Sequence, residues 1–236
     1  MLLAIDVGNT NITFGLFDEK KLVKQWRCLT VSLRVPSSKF LVTRVIICSV
    51  VPSLDQRLKT KVQRLFGIKP FFVTAENITG IKVKIKNKTE VGADRVVDAL
   101  AAYEIYGGPC VVVDFGTATT FDVVTAQGEY IGGAIAPGIA LARDALYNQT
   151  AKLPKVDIKA PKNVIGKDTV SAMQSGLVYG YVAMVEGMLQ RIKCQMKVIA
   201  TGGYAPLICK YTDAIDCVDQ DLTLKGLRLA GESLSR

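Results

Sequence analysis

Two short segments combine a carboxylate, a glycine and nearby threonines directly after an apolar run. The first starts at Asp6 and Gly8, and the second repeats the order at Asp114 and Gly116. Glycine permits a tight turn and close approach of a ligand to the backbone. Successive turn N–H groups, together with threonine hydroxyls, donate to phosphate oxygens, and a carboxylate can hold a cation beside them. The repeat predicts phosphate binding by two hairpins; the alternative is two ordinary turns stabilised by Asp and Thr.

A third segment offers a proton acceptor. The chain has no histidine, so a general base has to be Asp, Glu, Lys, Tyr or Cys. Asp94 stands beside Arg95 just before a helical pattern, where it could deprotonate a hydroxyl while the arginine pairs with a substrate carboxylate or phosphate. Position alone equally suits a helix cap or a first-turn carboxylate.

Other site classes are excluded by their missing motifs. Neither the Walker phosphate loop nor a Rossmann glycine fingerprint occurs. The six cysteines form no C-x-x-C pair, which argues against zinc ribbons and thioredoxin chemistry, and Cys48 and Cys110 read as buried thiols. Without a basic-then-apolar leader or an apolar run of membrane length, we expect a cytoplasmic protein without a membrane partner.

The net charge of +9 favours anionic partners. The basic residues are spread along the chain and do not alternate with aromatic residues, so a nucleic-acid partner is not expected. Steering of small anionic ligands, or simple surface solvation, accounts for the charge.

The elements around these segments predict an α/β protein with two related lobes, 1–106 and 107–236, each opening with a β-hairpin. Helices are expected from a Ser53 cap to Phe66 and over Asp94–Tyr106, Gly138–Asn148 and Thr169–Lys193. The strands expected beyond the hairpins are Leu22–Arg27, Val42–Val50, Pro70–Val73 and Lys197–Ala200. The long last helix carries Gly176, Gly180 and Gly187, small residues that suit either a helix interface between subunits or internal packing.

Seven segments in order resemble the type III pantothenate kinases over nearly the whole chain: IDVGNTNITFGLFD, CSVVPS, EVGADRVVDALAAY, VVDFGTATTFDVV, IGGAIAPGI, TVSAMQSGLVYGY and ATGGYAPLI. The resemblance implies a mixed α/β fold of two RNase H-like lobes in the actin-like ATPase superfamily. It also implies phosphorylation of pantothenate by ATP, the first step of coenzyme A synthesis, in a homodimer. The implied cofactors are Mg²⁺ or another divalent ion and a monovalent cation, K⁺ or NH₄⁺.

The same resemblance implies roles for individual residues. Asp94 would accept the hydroxyl proton, Asp114 would bind the monovalent cation, and Asp6 would lie near Mg²⁺, directly or through water. Pantothenate would contact Gly92, Ala93, Asp94, Arg95 and Thr169. ATP would contact Thr117 and the phosphate loop, which consists of Asp6, Val7, Gly8, Asn9, Thr10, Asn11, Ile12 and Thr13.

The chain departs from the family pattern in two places. Relatives commonly read Tyr-Asp-Asn-Pro before EVGADR, where this chain has Ile85 and then Lys-Asn-Lys, so a tyrosine counted among the substrate contacts is missing. Relatives place a substantial helix in the connection 29–41, which is here short and a poor helix sequence. Ile85 and the net charge of +9 keep a regulatory or nucleic-acid-binding relative without enzymatic activity open as an alternative. Among enzymes, the alternative is a kinase for another small hydroxy acid.

Overall fold

The computed structural model describes residues 1–36, 40–192 and 195–233. In chain order its strands and helices are β1 (Leu2–Val7), β2 (Asn11–Asp18), β3 (Lys21–Leu29), β4 (Arg44–Ser49), α1 (Pro52–Phe66), β5 (Phe71–Phe72), β6 (Lys82–Val83), α2 (Ala93–Tyr106), β7 (Cys110–Phe115), β8 (Ala118–Val124), β9 (Glu129–Pro137), α3 (Ile139–Gln149), α4 (Thr169–Ile192), β10 (Lys197–Thr201), α5 (Ala205–Ile208), β11 (Cys217–Val218) and α6 (Leu222–Ser233).

The residues form two compact units. The first comprises 1–108, 124–132 and 221 onward, and the second comprises 109–123 and 133–220. The first unit holds a five-stranded sheet in the order β3-β2-β1-β4-β5, in which β1 pairs antiparallel with β2 and parallel with β4. It also holds β6, which pairs in parallel with the first residues of β9.

The core of the first unit lies on both faces of β1. Because the strand is central, its sequence LLAIDV is an almost continuous apolar run rather than an alternating one. On one face, Ile5 and Val7 pack in the cluster that contains Leu58 and Val62 of α1. Elsewhere in the unit α6 packs on α2 so closely that a Cβ on Gly226 would lie 2.2 Å from the carbonyl oxygen of Val97.

The second unit has a mixed sheet whose strands follow the order β11-β10-β7-β8-β9. Strand β10 runs parallel to β7, with Thr201 beside Asp114. The long helix α4 contributes Val178, Val185 and Leu189 to a core that also contains Val111 and Val113 of β7. No helix among the described residues is long and apolar enough to cross a membrane.

Most predicted elements are present with small shifts of their ends, and two details differ. Helix α1 is capped at Val51, not Ser53: Pro52 takes the first helical position, and the Ser49 hydroxyl accepts the Val51 N–H at 3.2 Å. Helix α6 was not predicted. Lys193, the expected last residue of the long helix, lies outside the described residues.

The short connection between β3 and β4 contains a 3₁₀-helix at Thr30–Ser32 and no α-helix in its described parts, 30–36 and 40–43. The carbonyl of Leu33 accepts a hydrogen bond from Lys61 Nζ of α1 at 2.7 Å, and the Leu33 side chain is buried. The described part of the connection is therefore anchored to α1.

Candidate active site

The first predicted phosphate loop is a β-hairpin. Strands β1 and β2 pair with Asp6 opposite Thr13 and Val7 opposite Ile12. The Gly8 N–H donates to the Asn11 carbonyl at 3.0 Å and closes the turn through Asn9 and Thr10. A Cβ on Gly8 would lie 3.1 Å from that carbonyl, so the small residue suits the tight turn.

Asp6, at the end of β1, has a perturbed carboxyl group. Its burial, and after that the negative charge of Asp94, raise its pKa from 3.8 to about 7. A hydrogen bond from Cys48 Sγ to Asp6 Oδ1, at 3.4 Å, and the positive charge of Arg27 oppose the shift. The carboxyl therefore lies in a place where a bound cation would favour its ionised form.

Cys48 lies beside Asp6 because β4 pairs with β1 in that register. Burial, followed by the charges of Asp6 and Asp94, holds the pKa of its thiol well above its usual value. Cys48 is thus a neutral thiol that donates to the carboxylate, and the prediction of a buried thiol is confirmed, as it is for Cys110.

Asp94 lies in the first turn of α2, and Gly92 is the N-cap residue. One carboxylate oxygen of Asp94 accepts the backbone N–H of Arg95 at 2.8 Å. A Cβ on Gly92 would lie 2.5 Å from Asp94 Oδ1, so the glycine leaves room for the carboxylate. The first-turn placement is confirmed, and the effect of the Asp94 charge on the pKa of Asp6 indicates that the predicted base lies near the end of β1.

Asp6 suits a divalent ion that also binds substrate phosphates. Mg²⁺ commonly takes one or two carboxylates and completes its shell with water and phosphate oxygens. The carboxylate of Asp6 fits that donor set, although the described residues contain no group of three or more side chains able to hold an ion by themselves. The structure therefore fits Mg²⁺ bound together with ATP.

Arg95, the neighbour of Asp94, lies with its guanidinium carbon 6.0 Å from the centre of the Tyr130 ring. This cation–π contact orients the arginine within the first unit. Ile85, where relatives carry tyrosine, lies near Gly132, whose hypothetical Cβ would be 3.7 Å from Ile85 Cγ2. The aliphatic side chain of Ile85 thus stands where the resemblance implies a tyrosine hydroxyl.

The second hairpin joins β7 and β8 through Gly116 and Thr117, with the Gly116 N–H bonded to the Ala118 carbonyl at 3.0 Å. Asp114 lies two residues before the turn, close to Gly202 at the end of β10. A Cβ on Gly202 would lie 2.2 Å from Asp114 Oδ1, and the φ of Gly202 is +89°. The Thr117 carbonyl accepts the Gly138 N–H at 3.1 Å, which anchors the turn to the start of α3.

Thr169 is the first residue of α4 and is exposed. The preceding residue, Asp168, caps the helix: its Oδ1 accepts the Ser171 N–H at 2.9 Å, and this bond lowers the pKa of its carboxyl. Thr169 and the second hairpin belong to the same compact unit.

Sequence reasoning missed Arg27, Thr30 and Asp168, and it did not place Cys48 beside Asp6 or Gly202 beside Asp114. A capping signal was present for Asp168, since an aspartate directly precedes the predicted helix. The others depend on which strands become neighbours, and no local pattern carries that information.

Comparisons with known proteins agree with this geometry. The family model described as type III pantothenate kinase matches residues 2–191. A type III pantothenate kinase from Anaeromyxobacter sp. (strain K) is 47% identical over 251 aligned positions, covering 98% of this chain and 99% of the relative.

Solved structures agree on the fold. A protein from Campylobacter jejuni described as a Baf family transcriptional activator has a TM-score of 0.69 at 21% identity, covering 99% of this chain and 98% of that one. The polyphosphate/ATP-glucomannokinase of Arthrobacter sp. strain KM has a TM-score of 0.52 at 12% identity, covering 100% and 99%. The predicted fold class, a mixed α/β protein of the actin-like ATPase type, is confirmed. The chain belongs to the type III pantothenate kinase family.

Proposed function

We propose how the residues of this chain transfer the phosphoryl group from ATP to pantothenate. The chain is a kinase that phosphorylates pantothenate in coenzyme A biosynthesis. The phosphates of ATP bind the turn of the first hairpin, from Asp6 to Thr13, and Thr117 of the second. Asp94 accepts the proton of the pantothenate hydroxyl. The observation that supports this assignment most is the position of Asp94 in the first turn of α2, near enough to Asp6 for its charge to raise the pKa of that carboxyl.

The two carboxylates have different tasks in this account. The hydroxyl oxygen attacks the γ-phosphorus, the bond to the bridging oxygen breaks, ADP leaves, and the hydroxyl proton passes to Asp94. Asp6 holds Mg²⁺, directly or through water, and the ion supplies neutralisation of the phosphate charge when it is bound. Since the chain has no histidine, a carboxylate is a natural proton acceptor.

Pantothenate is oriented by Gly92, Ala93, Arg95 and Thr169. Its carboxylate pairs with Arg95, whose guanidinium can form two parallel hydrogen bonds to such a group. The contact of Arg95 with Tyr130 supports this role, because it limits the positions that the arginine can adopt. Ile85 leaves the pocket without the family tyrosine hydroxyl, so Arg95 carries more of the recognition.

Asp114 binds the monovalent cation, K⁺ or NH₄⁺. The close packing of Gly116 and Gly202 around its carboxylate supports this role, because both positions leave little room for a larger residue. Replacing K⁺ by Na⁺ or Li⁺ in the assay should lower turnover, and Asp114→Asn should make the protein insensitive to that exchange.

The chain acts as a homodimer in the cytoplasm, where ATP is available. Helix α4 supports the dimer: within the part of the chain that the structure describes, a hypothetical Cβ on Gly176, Gly180 or Gly187 has no heavy atom within 4 Å, so packing among these residues does not require glycine there. Apolar side chains such as Ile135 and Ile165 are exposed in the same unit. An exposed strip of this kind suits close approach by a second helix.

The test is a turnover screen with purified protein, ATP, Mg²⁺ and K⁺, in which pantothenate and other small hydroxy acids are compared as acceptors. We expect phosphopantothenate as the main product. Asp94→Asn should lower its rate by roughly 10²–10⁴-fold, while Asp18→Asn, on the exposed end of β2, should leave it unchanged. Preference for another acceptor would contradict the substrate, and salt-sensitive DNA binding without turnover would favour the regulatory alternative.

A further inference from the structure

Thr30 connects the end of β3 to the first phosphate loop. It begins the short 3₁₀-helix Thr30–Ser32 and is buried, with 6% of its surface exposed. Its hydroxyl donates to the carbonyl of Gly8 at 2.7 Å, and its backbone N–H donates to the carbonyl of Thr10 at 3.1 Å. One residue thus binds two peptide groups of the same turn.

These two hydrogen bonds fix the direction in which the turn presents its amides. In a trans peptide the C=O and the following N–H point in opposite directions. Since the carbonyls of Gly8 and Thr10 point to Thr30, the N–H groups of Asn9 and Asn11 point away from it. Backbone N–H groups oriented in this way are the groups that bind phosphate oxygens.

The segment that carries Thr30 is itself held in place. Three residues later, Leu33 is buried in the core of the first unit, and its carbonyl accepts a hydrogen bond from Lys61 Nζ at 2.7 Å. Thr30 therefore lies between a strand on one side and an anchored residue on the other. A support of this kind can keep the turn in one conformation before any ligand arrives.

We infer that Thr30 is a positioning residue for ATP, which fixes the Gly8–Thr10 turn so that its amides face the phosphates. The inference rests on the proposed role of residues 6–13 as the phosphate loop. Without the hydroxyl, the Gly8 carbonyl loses its partner and the turn gains alternative conformations. Part of the binding free energy of ATP is then spent on ordering the turn, so affinity for the nucleotide falls.

The test is a calorimetric titration in which a non-hydrolysable ATP analogue is added to the protein in the presence of Mg²⁺. Thr30→Val keeps the shape and the backbone N–H but removes the hydroxyl, and we expect roughly tenfold weaker binding, the size of one lost buried hydrogen bond. Thr30→Ser restores a hydroxyl and should bind within twofold of the natural protein. Thr60→Val is the matched control, because the Thr60 hydroxyl bonds only within α1, to the Gln56 carbonyl at 3.0 Å.

A second readout separates positioning from a general loss of structure. In steady-state assays Thr30→Val should raise the KM for ATP and leave the KM for pantothenate within twofold. Unchanged analogue binding by folded Thr30→Val, or equal weakening by Thr30→Ser, would overturn the inference. If Thr30→Val does not fold, Lys61→Met decides: it removes the hydrogen bond that anchors the Leu33 carbonyl, and unchanged analogue binding by that variant would also overturn the inference.

The titration keeps this inference distinct from the proposed function. It needs no acceptor and no general base, so it stands if another hydroxy acid is the substrate or if Asp94 is not the base. If the natural protein binds no analogue, the phosphate-loop assignment itself fails. If the natural protein and Thr30→Val bind it equally well, only the role of Thr30 fails.

Discussion

The raised pKa of Asp6 should make the ligand-free protein less stable as the pH rises. In the folded chain this carboxyl keeps its proton up to about pH 7, whereas in the unfolded chain it releases it near 3.8. Between these values the folded state binds more protons, so the free energy of unfolding falls with increasing pH. Below the lower value the group has no effect, and above the upper value its full penalty is present.

The size of the effect follows from the shift. Each pKa unit corresponds to 1.36 kcal/mol, so a shift from 3.8 to about 7 gives roughly 4 kcal/mol. Asp6→Asn removes this titration. Over the same rise in pH, the natural protein should therefore lose roughly 4 kcal/mol more of its unfolding free energy than the Asp6→Asn variant loses. Asp94→Asn removes the second-largest cause of the shift and should give an intermediate slope.

The assay is urea unfolding of protein freed of nucleotide and divalent ions, at several values between about pH 4 and about pH 8. Groups that titrate equally in both proteins cancel in the comparison of Asp6→Asn with the natural chain. Asp18→Asn, on the exposed end of β2, is the control and should keep the natural pH dependence. Parallel curves for Asp6→Asn and the natural protein would refute the electrostatic account of the first site.

Three further predictions concern the second unit. Gly202→Ala should lower the unfolding free energy by roughly 1–3 kcal/mol and weaken the activation by K⁺, because the φ of Gly202 is +89° and the new Cβ would meet Asp114. Gly203→Ala is the control: among the described residues its new Cβ would have no close neighbour, so stability and the activation by K⁺ should not change. Gly180→Leu on α4 should break the proposed dimer and reduce the mass in solution toward the 25.6 kDa of one chain. The control Gln63→Leu on α1 should leave the mass of the dimer unchanged, and an unchanged mass for Gly180→Leu would place the dimer contact elsewhere. Asp168→Ala should lower the midpoint of thermal unfolding, because the cap of α4 is lost, whereas Asp168→Asn should keep most of the cap and of the midpoint.

The local patterns were sufficient for the elements that carry their own signals. Asp6 with Gly8 predicted the first hairpin, and Asp94 before an apolar helical repeat predicted the start of α2, because turn chemistry and helix periodicity act over a few residues. The α/β class followed from the element pattern, whereas the type of lobe came from the resemblance of ordered motifs, since periodicity alone does not specify which strands are neighbours.

The remaining contacts join residues that are far apart in the chain. Cys48 lies beside Asp6 only because β4 pairs with β1, and Gly202 reaches Asp114 only because β10 pairs with β7. Helix α6 escaped prediction because Gly226 and Gly231 weaken its helical pattern, although both let it pack closely in the first unit. Tertiary packing decides such positions, and a single sequence does not display it.

The central claim is that Asp94 takes the proton from pantothenate while leaving nucleotide binding to other residues. The most direct measurement is a single-turnover experiment with Asp94→Asn, in which excess protein is mixed with ATP and pantothenate and product is quenched over time. We predict ATP affinity within a few fold of that of the natural protein and transfer slower by roughly 10²–10⁴-fold. Transfer within a few fold of the natural rate would contradict the account.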